Sequence, residues 1–383
     1  MTNPNLITKR PISDKLGGCV WPYYDNIEQQ VIGAQNIGIK YVSAGALFRR
    51  EEGFPPNTNE FSTMIDLIKK YDMKLMVDWS GTQSGNDTTT HSFYSTNELN
   101  TIKSSAVDMI NQLKGLGVIY LGWNEPNGLF WIDDTKAAMT DYDTVKSSTD
   151  MEIWLAQQEK ALDSSCTVAG TSFLYPPDYV SDNRTYINLI NQLGVFDHLD
   201  AVAEHPYLVQ NYNCGNPEQL LKYDAMKVTN LPKITNEFAF PWKQKSDSSF
   251  QGIWTLRDAT KLTLRQILMM DYTGYSIIGL YTCECGTSND SLLNADGSLT
   301  EVAKSIRWLL DELDGYTFDT KIEVVDHVGY NDDMYVLKYI KDNSPSKLVY
   351  WTPTYMGNTL KLELDNNSYE LKFDDYPKVK EID

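Results

Sequence analysis

Residues 95–127 read STNELNTIKSSAVDMINQLKGLGVIYLGWNEPN and contain the two kinds of segment that recur along most of the chain. Apolar residues recur at helical spacing between Thr96 and Gly115, which predicts a helix with one buried face. This apolar stripe consists of Ile102, Ala106, Met109, Ile110 and Leu113. Residues 118–123 form a short β-branched and aromatic run closed by Pro126, which predicts a buried strand. The alternation of such segments is typical of βα units around a parallel sheet.

The same alternation runs through the first 314 residues. Eight short strands are predicted, at 16–21, 39–44, 74–78, 118–123, 167–173, 201–205, 233–237 and 275–281. Helices are predicted near 26–36, 58–71, 97–115, 150–163, 184–193, 216–228, 255–272 and 300–313. Thr149 and Glu152 have the spacing of a capping box, which predicts the start of the fourth helix. Eight pairs over about 300 residues predict a closed (β/α)8 TIM barrel and not an open sheet.

The rhythm changes after residue 314. Residues 315–383 show period-two patches separated by Asn, Asp, Gly and Ser turns, which predict antiparallel strands. The patches lie at 321–325, 334–340, 347–351, 359–364 and 369–373. The sequence therefore predicts a (β/α)8 catalytic barrel over 1–314 and a small β-sandwich-like domain over 315–383.

Composition excludes several classes of protein. The 383 residues include 33 basic and 52 acidic side chains, and the net charge of −19 repels polyphosphates, so we expect no nucleic-acid partner. Five cysteines are too few for a disulfide scaffold. The beginning of the sequence lacks the apolar segment of a signal peptide, and no run approaches the about 18 apolar residues of a transmembrane helix. We therefore expect a soluble chain, and the sequence leaves its oligomeric state open.

Two glutamates follow predicted barrel strands. Glu125 comes directly after the fourth strand, in Gly-Trp-Asn-Glu-Pro-Asn, and Glu237 ends the seventh, in Thr-Asn-Glu. The ends of barrel strands meet at the catalytic face, so side chains from opposite strands point into one cleft. Two carboxyl groups about 5–5.5 Å apart are the requirement of a retaining glycosidase.

These two motifs, in this order on the strands, resemble the acid/base and nucleophile motifs of the clan A retaining glycoside hydrolases. The sixth-strand segment 200–207, DAVAEHPY, and the segment 292–300, LLNADGSLT, resemble family 39 and its bacterial exopolysaccharide-degrading relatives. Family 5 is the next most similar. The resemblance covers roughly residues 14–313, and a β domain after the barrel is also similar to family 39.

The resemblance implies roles for individual residues. Glu125 is the expected acid/base and Glu237 the expected nucleophile, while Asn124 is expected to bind the sugar 2-hydroxyl. The residues expected to line the cleft are His205, Tyr207, Tyr281 and Trp79. His205 or Tyr207 is expected to orient Glu237, and Tyr281 to lie under a sugar ring. Five tryptophans near strand ends are candidates for stacking on sugars, and at least half of them are expected to pack in the core instead: Trp21, Trp79, Trp123, Trp131 and Trp242.

Several residues depart from the family pattern or have plainer explanations. The clan commonly has an arginine inside strand two, where this chain has Ser43. Glu204 either contacts substrate or pairs with a lysine behind the barrel. We interpret four other acids near strand ends as solvated or salt-bridged: Glu51, Glu52, Asp78 and Glu284. Cys283 and Cys285 are spaced too tightly for a CxxC metal motif, and no dinucleotide or phosphate fingerprint is seen, so we expect no metal and no cofactor.

These observations predict a retaining O-glycoside hydrolase that cleaves a β-linked poly- or oligosaccharide. Long segments after the fourth and seventh strands favour a groove and internal cleavage of a polymer. Two alternatives stay open: an exo-acting β-glycosidase of the xylosidase type, and a carbohydrate-binding or phage-adsorption protein without hydrolytic activity. A polymer substrate favours an extracellular or virion-associated location, although the chain shows no signal peptide.

Overall fold

The computed structural model describes residues 3–22, 26–44, 48–49, 59–79, 81–82, 96–127, 142–174, 180–207, 216–221, 229–242, 254–286, 290–324, 333–354 and 357–383. Eight parallel strands close into a barrel: β1 (Leu16–Val20), β2 (Tyr41–Ala44), β4 (Lys74–Trp79), β6 (Ile119–Trp123), β7 (Thr167–Leu174), β8 (Ala201–His205), β9 (Lys233–Thr235) and β10 (Tyr275–Leu280). Their order around the barrel is β1-β10-β9-β8-β7-β6-β4-β2. Two short strands, β3 (Phe48–Arg49) and β5 (Gly81–Thr82), pair with each other outside the barrel. The predicted (β/α)8 barrel is confirmed.

Helices lie between the barrel strands and cover their outer side. They are Ile27–Ile37, Asn59–Lys70, Thr96–Leu113, Tyr142–Leu162, Val180–Gln192, Leu256–Tyr272 and Glu301–Glu312. In the predicted segment 216–228, Pro217–Gln219 form a 3₁₀ turn, and residues 222–228 lie outside the described residues. None of the helices in these described ranges is long and apolar enough to cross a membrane.

The helix Tyr142–Leu162 starts well before the predicted residue 150, and the capping box predicted there is wrong. Thr149 lies inside the helix, and its hydroxyl donates to the carbonyl oxygen of Val145. Glu152 is buried, and its carboxylate accepts from the backbone N–H of Trp123 at 2.8 Å. The spacing was misleading because a threonine inside a helix can donate its hydroxyl to a carbonyl oxygen of the preceding turn instead of capping the helix.

The interior of the barrel is a small apolar core topped by polar side chains. The inward-facing apolar cluster contains Tyr41, Met76, Ile119, Leu121, Ala169, Ala201, Ala203, Ile234 and Ile277. Successive residues of a strand point to opposite faces, so the next inward position along four strands is polar. Those four positions are Ser43, Asp78, His205 and Asn236, and all are at most 3% exposed. We call these four residues the polar layer.

A bulge interrupts the alternation of β6 just before the first predicted catalytic motif. Tyr120 pairs with Val77 and Trp123 with Trp79, so β6 contains one more residue than β4 over this stretch. Gly122 has a φ of 74°, a left-handed conformation that glycine adopts without strain. The extra residue turns Trp123 outward, into the cluster between barrel and helices, where strict alternation would have pointed it inward.

The C-terminal residues form two antiparallel sheets. Strands β11 (Thr317–Lys321), β12 (Tyr335–Ile340), β13 (Ser346–Trp351) and β16 (Lys378–Ile382) make one, and β14 (Thr359–Leu364) with β15 (Asn367–Lys372) makes the other. The predicted antiparallel β structure is thus confirmed, with β16 an additional strand and the first strand ending at residue 321, where the prediction had it begin. Alternate residues of β12 and β13 pack on the barrel helices and on the β14–β15 hairpin.

Buried polar contacts fix the four-stranded sheet to the barrel. Trp351 donates from Nε1 to Glu218 Oε1 at 2.6 Å, and Arg265 donates from Nε to the same oxygen at 2.8 Å. Tyr339 donates its hydroxyl to Asp271, which also binds Lys15 of the barrel at 2.5 Å. Glu218 and Asp271 thus each bind one cation of the barrel and one hydrogen-bond donor of the sheet, which attaches the sheet to the barrel.

Candidate active site

Glu125 follows β6 in a loop that four hydrogen bonds hold in place. Its φ is 43°, a left-handed conformation that costs a non-glycine residue on the order of 1–3 kcal/mol. The N–H of Glu125 donates to Ser172 O, and the N–H of Asn124 donates to Trp79 O, both at 2.9 Å. The side chain of Asn127 forms two bonds with the backbone of Leu174, at 2.7 and 2.9 Å. Because strained backbone needs such support, these contacts with β4 and β7 fix the position of Glu125.

Asn127 is a supporting residue to which sequence reasoning assigned no role. It is 3% exposed and lies at the end of the motif Trp-Asn-Glu-Pro-Asn. The signal was present, because an asparagine just after a strand-ending proline is typical of a side chain that bonds nearby backbone.

Glu237 is held by the residue two positions before it. The Thr235 hydroxyl accepts from the N–H of Glu237 at 3.2 Å and donates to the carbonyl oxygen of Glu237 at 3.1 Å. Gly279 of β10 lies beneath this segment, where a Cβ atom would come within 2.5 Å of the backbone of Asn236. Only glycine permits this close approach between β10 and the end of β9.

His205 lies between the two glutamates. Its Nδ1 is 2.9 Å from Glu125 Oε1 and 2.8 Å from Glu237 Oε1. The imidazole is fully buried, whereas the two carboxylate side chains are 14% and 13% exposed. One ligand atom from each of these residues lies within 4.8 Å of the other two. The structure thus brings together both glutamates and the histidine that the sequence predicted to lie beside them.

Charge and burial act in opposite directions at this site. Burial raises the pKa of Glu125, as does the charge of Glu237, while contact with His205 lowers it, and the net shift is upward. Burial lowers the pKa of His205, but the charge of Glu237 and hydrogen bonds with both glutamates outweigh it and raise that pKa well above its ordinary value. The arrangement therefore favours an imidazolium ion that binds both carboxyl groups.

Two predicted cleft tyrosines also lie near Glu237. Burial and then the charge of Glu237 raise the pKa of the Tyr207 and Tyr281 hydroxyl groups. The Tyr207 ring makes an edge contact with His205, with centroids 6.4 Å apart. The Tyr281 ring packs edge-on against Trp21 at 6.1 Å. Tyr207, Tyr281 and Trp21 are all half-buried, which leaves part of each ring at the surface of the site.

Trp79 does not lie in the cleft, and its prediction as a substrate-binding residue is wrong. The side chain is fully buried, stacks on Tyr120 with centroids 5.6 Å apart, and donates from Nε1 to Glu159 Oε1. The reason is strand alternation: Leu75, Val77 and Trp79 share the outer face of β4. Trp123 is likewise buried outside the barrel, Trp242 is half-buried, and Trp131 lies outside the described residues.

Asp78 lies on the inner face of β4, opposite to the outer face that carries Trp79. It is 3% exposed, and no lysine or arginine pairs with it within the described ranges, so its interpretation as a solvated or salt-bridged group is wrong. Glu284 is also buried, and Glu51 and Glu52 lie outside the described residues. Glu204 accepts a hydrogen bond from the Tyr275 hydroxyl on the outer side of β8, opposite His205.

Glu125, His205 and Glu237 are also the one group in the described part of the chain with three donor atoms close enough to hold a cation. Hydrogen bonds between His205 and each carboxylate account for their closeness without one. The absence of a metal and of a cofactor stays a prediction.

No protein-family model matches the sequence, and no curated protein matches it. Solved structures do share its fold. One is a family 39 glycoside hydrolase from the gut symbiont Bacteroides cellulosilyticus WH2, with a TM-score of 0.67, 14% identity, and coverage of 100% of this chain and 82% of that one.

This chain has the fold of the clan A glycoside hydrolases. The endo-β1,6-glucanase BT3312 aligns with a TM-score of 0.62 at 13% identity, over 99% of this chain and 92% of that one. A family 30 subfamily 8 xylanase from Clostridium acetobutylicum aligns with a TM-score of 0.53 at 11% identity, over 92% and 84%. At such identities the likeness establishes the fold, and the chemistry has to be argued from the site.

Proposed function

We propose that this protein is a retaining O-glycoside hydrolase that cleaves β-glycosidic bonds in a polysaccharide. The observation that supports it most is the closeness of Glu125 and Glu237: one carboxyl oxygen of each lies within 4.8 Å of the other, and an oxygen of each contacts Nδ1 of His205. An inverting enzyme needs its carboxyl groups about 6.5–9.5 Å apart, to leave room for a water molecule. The short separation therefore favours double displacement.

In the first step, a carboxylate oxygen of Glu237 attacks the anomeric carbon while Glu125 donates its proton to the glycosidic oxygen. The bond between the anomeric carbon and that oxygen breaks, and the leaving sugar departs as an alcohol. The raised pKa of Glu125 supports this role, because a general acid must keep its proton near neutral pH. The product of this step is a glycosyl ester of Glu237.

In the second step, a water molecule attacks the anomeric carbon and Glu125, now ionised, accepts the proton of that water. The ester bond to Glu237 breaks, and the sugar leaves with its original anomeric configuration. Asn124, next to Glu125, is assigned to the sugar 2-hydroxyl, and the half-buried rings of Tyr207 and Tyr281 are assigned to the sugar face. Imidazolium at His205 orients Glu237 before the attack.

Internal cleavage of a polymer is the finer part of this proposal. The long segments after β6 and β9 favour a groove, and the similar structures include proteins named as an endo-glucanase and a xylanase. An exo-acting β-glycosidase is the alternative. Internal cleavage lowers the viscosity of a polymer quickly, whereas exo cleavage releases monosaccharide from the start.

The central test is a reducing-sugar assay against β-glucans, mannans, xylans and bacterial exopolysaccharides. Wild type is compared with Glu125→Gln, Glu237→Gln and the matched control Glu159→Gln, a buried glutamate outside the barrel. We expect both site variants to lose at least about 100-fold in kcat/KM while staying folded, and the control to keep its activity. A pure carbohydrate-binding protein would instead bind glycan and return it intact after long incubation.

A second assay separates the two roles. Azide needs no general base, so it attacks the glycosyl intermediate that accumulates in Glu125→Ala on a substrate with a good leaving group. We expect azide to restore turnover of Glu125→Ala and to yield a glycosyl azide of retained configuration. Rescue of a Glu237 variant with retention would contradict the assignment of Glu237 as nucleophile.

A further inference from the structure

The four members of the polar layer form a chain of hydrogen bonds below the two glutamates. Asp78 Oδ2 accepts from Asn236 Nδ2 at 3.0 Å and from the Ser43 hydroxyl at 3.3 Å. Asn236 Oδ1 is 2.8 Å from His205 Nε2. The chain therefore runs from a buried carboxyl on β4, through the residue before Glu237, to the imidazole between the catalytic candidates.

The direction of these hydrogen bonds follows from the chemistry of Asp78. Asp78 Oδ2 accepts from both Asn236 and Ser43, as a carboxylate oxygen does and as the carbonyl oxygen of a protonated carboxyl group does, so the NH2 group of Asn236 faces Asp78 in either state. The carbonyl oxygen of the same amide then faces His205, and an amide oxygen can only accept. Nε2 of His205 must therefore carry a proton, which leaves Nδ1 as the atom that faces Glu125 and Glu237.

Titratable groups from several strand ends lie around His205. Glu125 after β6 and Glu237 after β9 contact Nδ1, Asp78 on β4 acts through Asn236, and Tyr207 packs on the ring. Burial raises the pKa of Asp78 to about 7, and the positive charge of His205 is the largest influence that lowers it. Asp78 and His205 are thus electrostatically coupled although they do not touch.

We propose that Asp78 is a positioning residue for the catalytic pair. It fixes the amide orientation of Asn236. That orientation keeps a proton on Nε2 of His205 and directs Nδ1 to the two glutamates. The catalytic consequence rests on the proposed function, but the state of the imidazole is a property of the protein without substrate. The test therefore has one arm that needs no activity.

That arm is NMR of protein labelled with ¹⁵N at histidine. The chain has four histidines, and His205→Gln identifies the signals of His205 by their loss. In wild type we expect Nε2 to carry a proton throughout, and Nδ1 to lose its proton only well above the ordinary histidine pKa of about 6.5. A neutral ring with its proton on Nδ1 at pH 7 would overturn the proposal.

Three substitutions separate positioning from simple packing. Asp78→Asn keeps an acceptor for Asn236, so we expect the Nε2–H form to persist, the titration of His205 to move to lower pH, and kcat/KM to fall less than about 10-fold. Asp78→Leu removes the acceptor. We then expect the neutral imidazole of His205 to become a mixture of the Nε2–H and Nδ1–H tautomers, and kcat/KM to fall about 100-fold. Asp78→Ser removes the carboxyl without adding volume and serves in place of Asp78→Leu if that variant does not fold.

Glu159→Gln is the matched control, because Glu159 is equally buried but contacts only the outer side of the barrel. We expect it to leave the His205 signals unchanged. Wild-type His205 signals in Asp78→Leu, or in Asp78→Ser where Asp78→Leu does not fold, would overturn the proposal, because Asp78 would then be only a packing residue. If wild type cleaves no glycan, the proposed function fails while the NMR signals still decide the role of Asp78.

Discussion

Two clusters of buried polar side chains, each containing at least one carboxyl group, lie on opposite sides of the same barrel wall. The polar layer is inside, where Asp78 connects through Asn236 to His205. Outside, the helix Tyr142–Leu162 contributes Glu152 and Glu159, which we call the outer glutamate pair. Neighbours in sequence belong to different sides: Asp78 faces in and Trp79 faces out.

The two clusters differ in where their hydrogen bonds lead. In the outer glutamate pair, Glu152 accepts from the backbone N–H of Trp123 and Glu159 accepts from the indole N–H of Trp79. Burial raises the pKa of both to about 8, so both stay protonated at neutral pH. In the polar layer each residue bonds the next, and the last one faces the cleft. Burial of a carboxyl group is therefore a poor sign of function, and the direction of its contacts is a better one.

The largest expected effect comes from Gly122→Ala, which inserts a methyl group between the two clusters. A Cβ at this position would lie 1.9 Å from Glu152 Oε1, on a backbone with φ of 74°. We expect the free energy of unfolding to fall by about 3 kcal/mol and activity to fall with it, because the bulge positions Asn124 and Glu125. Chemical denaturation and kcat/KM of the same samples measure both.

Gly274→Ala is the control for this prediction. Gly274 has a similar φ of 81°, and a Cβ there would meet no heavy atom within 4 Å. The control measures the conformational cost alone, which we expect to be about 1 kcal/mol. Equal losses in the two variants would mean that Glu152 moves aside freely and does not support the bulge.

The next largest effect is expected for Asn124→Ala, which changes only the cleft side. Its proposed bond to the sugar 2-hydroxyl strengthens as positive charge develops at the anomeric carbon, so we expect kcat/KM to fall about 100-fold with little change in stability. A substrate with a 2-deoxy sugar at the cleavage site lacks this hydroxyl. If Asn124→Ala slows that substrate as much as the ordinary one, its role is structural.

The strands of the barrel could be predicted because each is a short apolar run between polar turns. All eight begin and end within two residues of their predicted limits. Glu125 and Glu237 were found because their position at strand ends follows from the barrel itself. Of the residues below them, Asp78 was interpreted as solvated or salt-bridged and Asn236 was assigned no role, although Met76 and Asp78 share a face of β4 by simple alternation.

Other features could not be read from periodicity. The bulge at Gly122 reverses the facing of Trp123, and nothing in the local pattern distinguishes this glycine from one in a regular strand. The early start of the helix at Tyr142 depends on burial of Glu152 against β6, a contact between segments about 30 residues apart. Tertiary contact therefore overrode a local capping signal.

A further effect of the outer glutamate pair is expected in the pH dependence of stability. The pKa of Glu152 and Glu159 is about 8 in the folded protein and about 4.3 in an unfolded chain. As pH rises, the unfolded state loses these protons first, so the stability contributed by the protonated pair is full at low pH and is lost through pH 8. We expect the free energy of unfolding to fall more steeply for wild type than for Glu152→Gln/Glu159→Gln between pH 5 and 8.

Denaturant titrations of both proteins at several pH values measure this difference. Glutamine keeps an acceptor for each N–H group but does not titrate, so the variant isolates the ionisation. Parallel stability curves for wild type and variant would contradict the raised pKa values. They would also remove the electrostatic distinction between the outer glutamate pair and the polar layer.

The smallest effect is expected for Trp79→Phe, which tests whether Trp79 binds substrate in the cleft or only stabilises the outer side of the barrel. The substitution keeps the packing on Tyr120 but removes the N–H group that binds Glu159. We expect a loss of about 1 kcal/mol in stability and an unchanged KM, because the ring does not reach the cleft. Tyr281→Ala, on the cleft side, should instead raise KM several-fold. A raised KM in Trp79→Phe without loss of stability would return Trp79 to the substrate site and make the outer face of β4 part of the cleft.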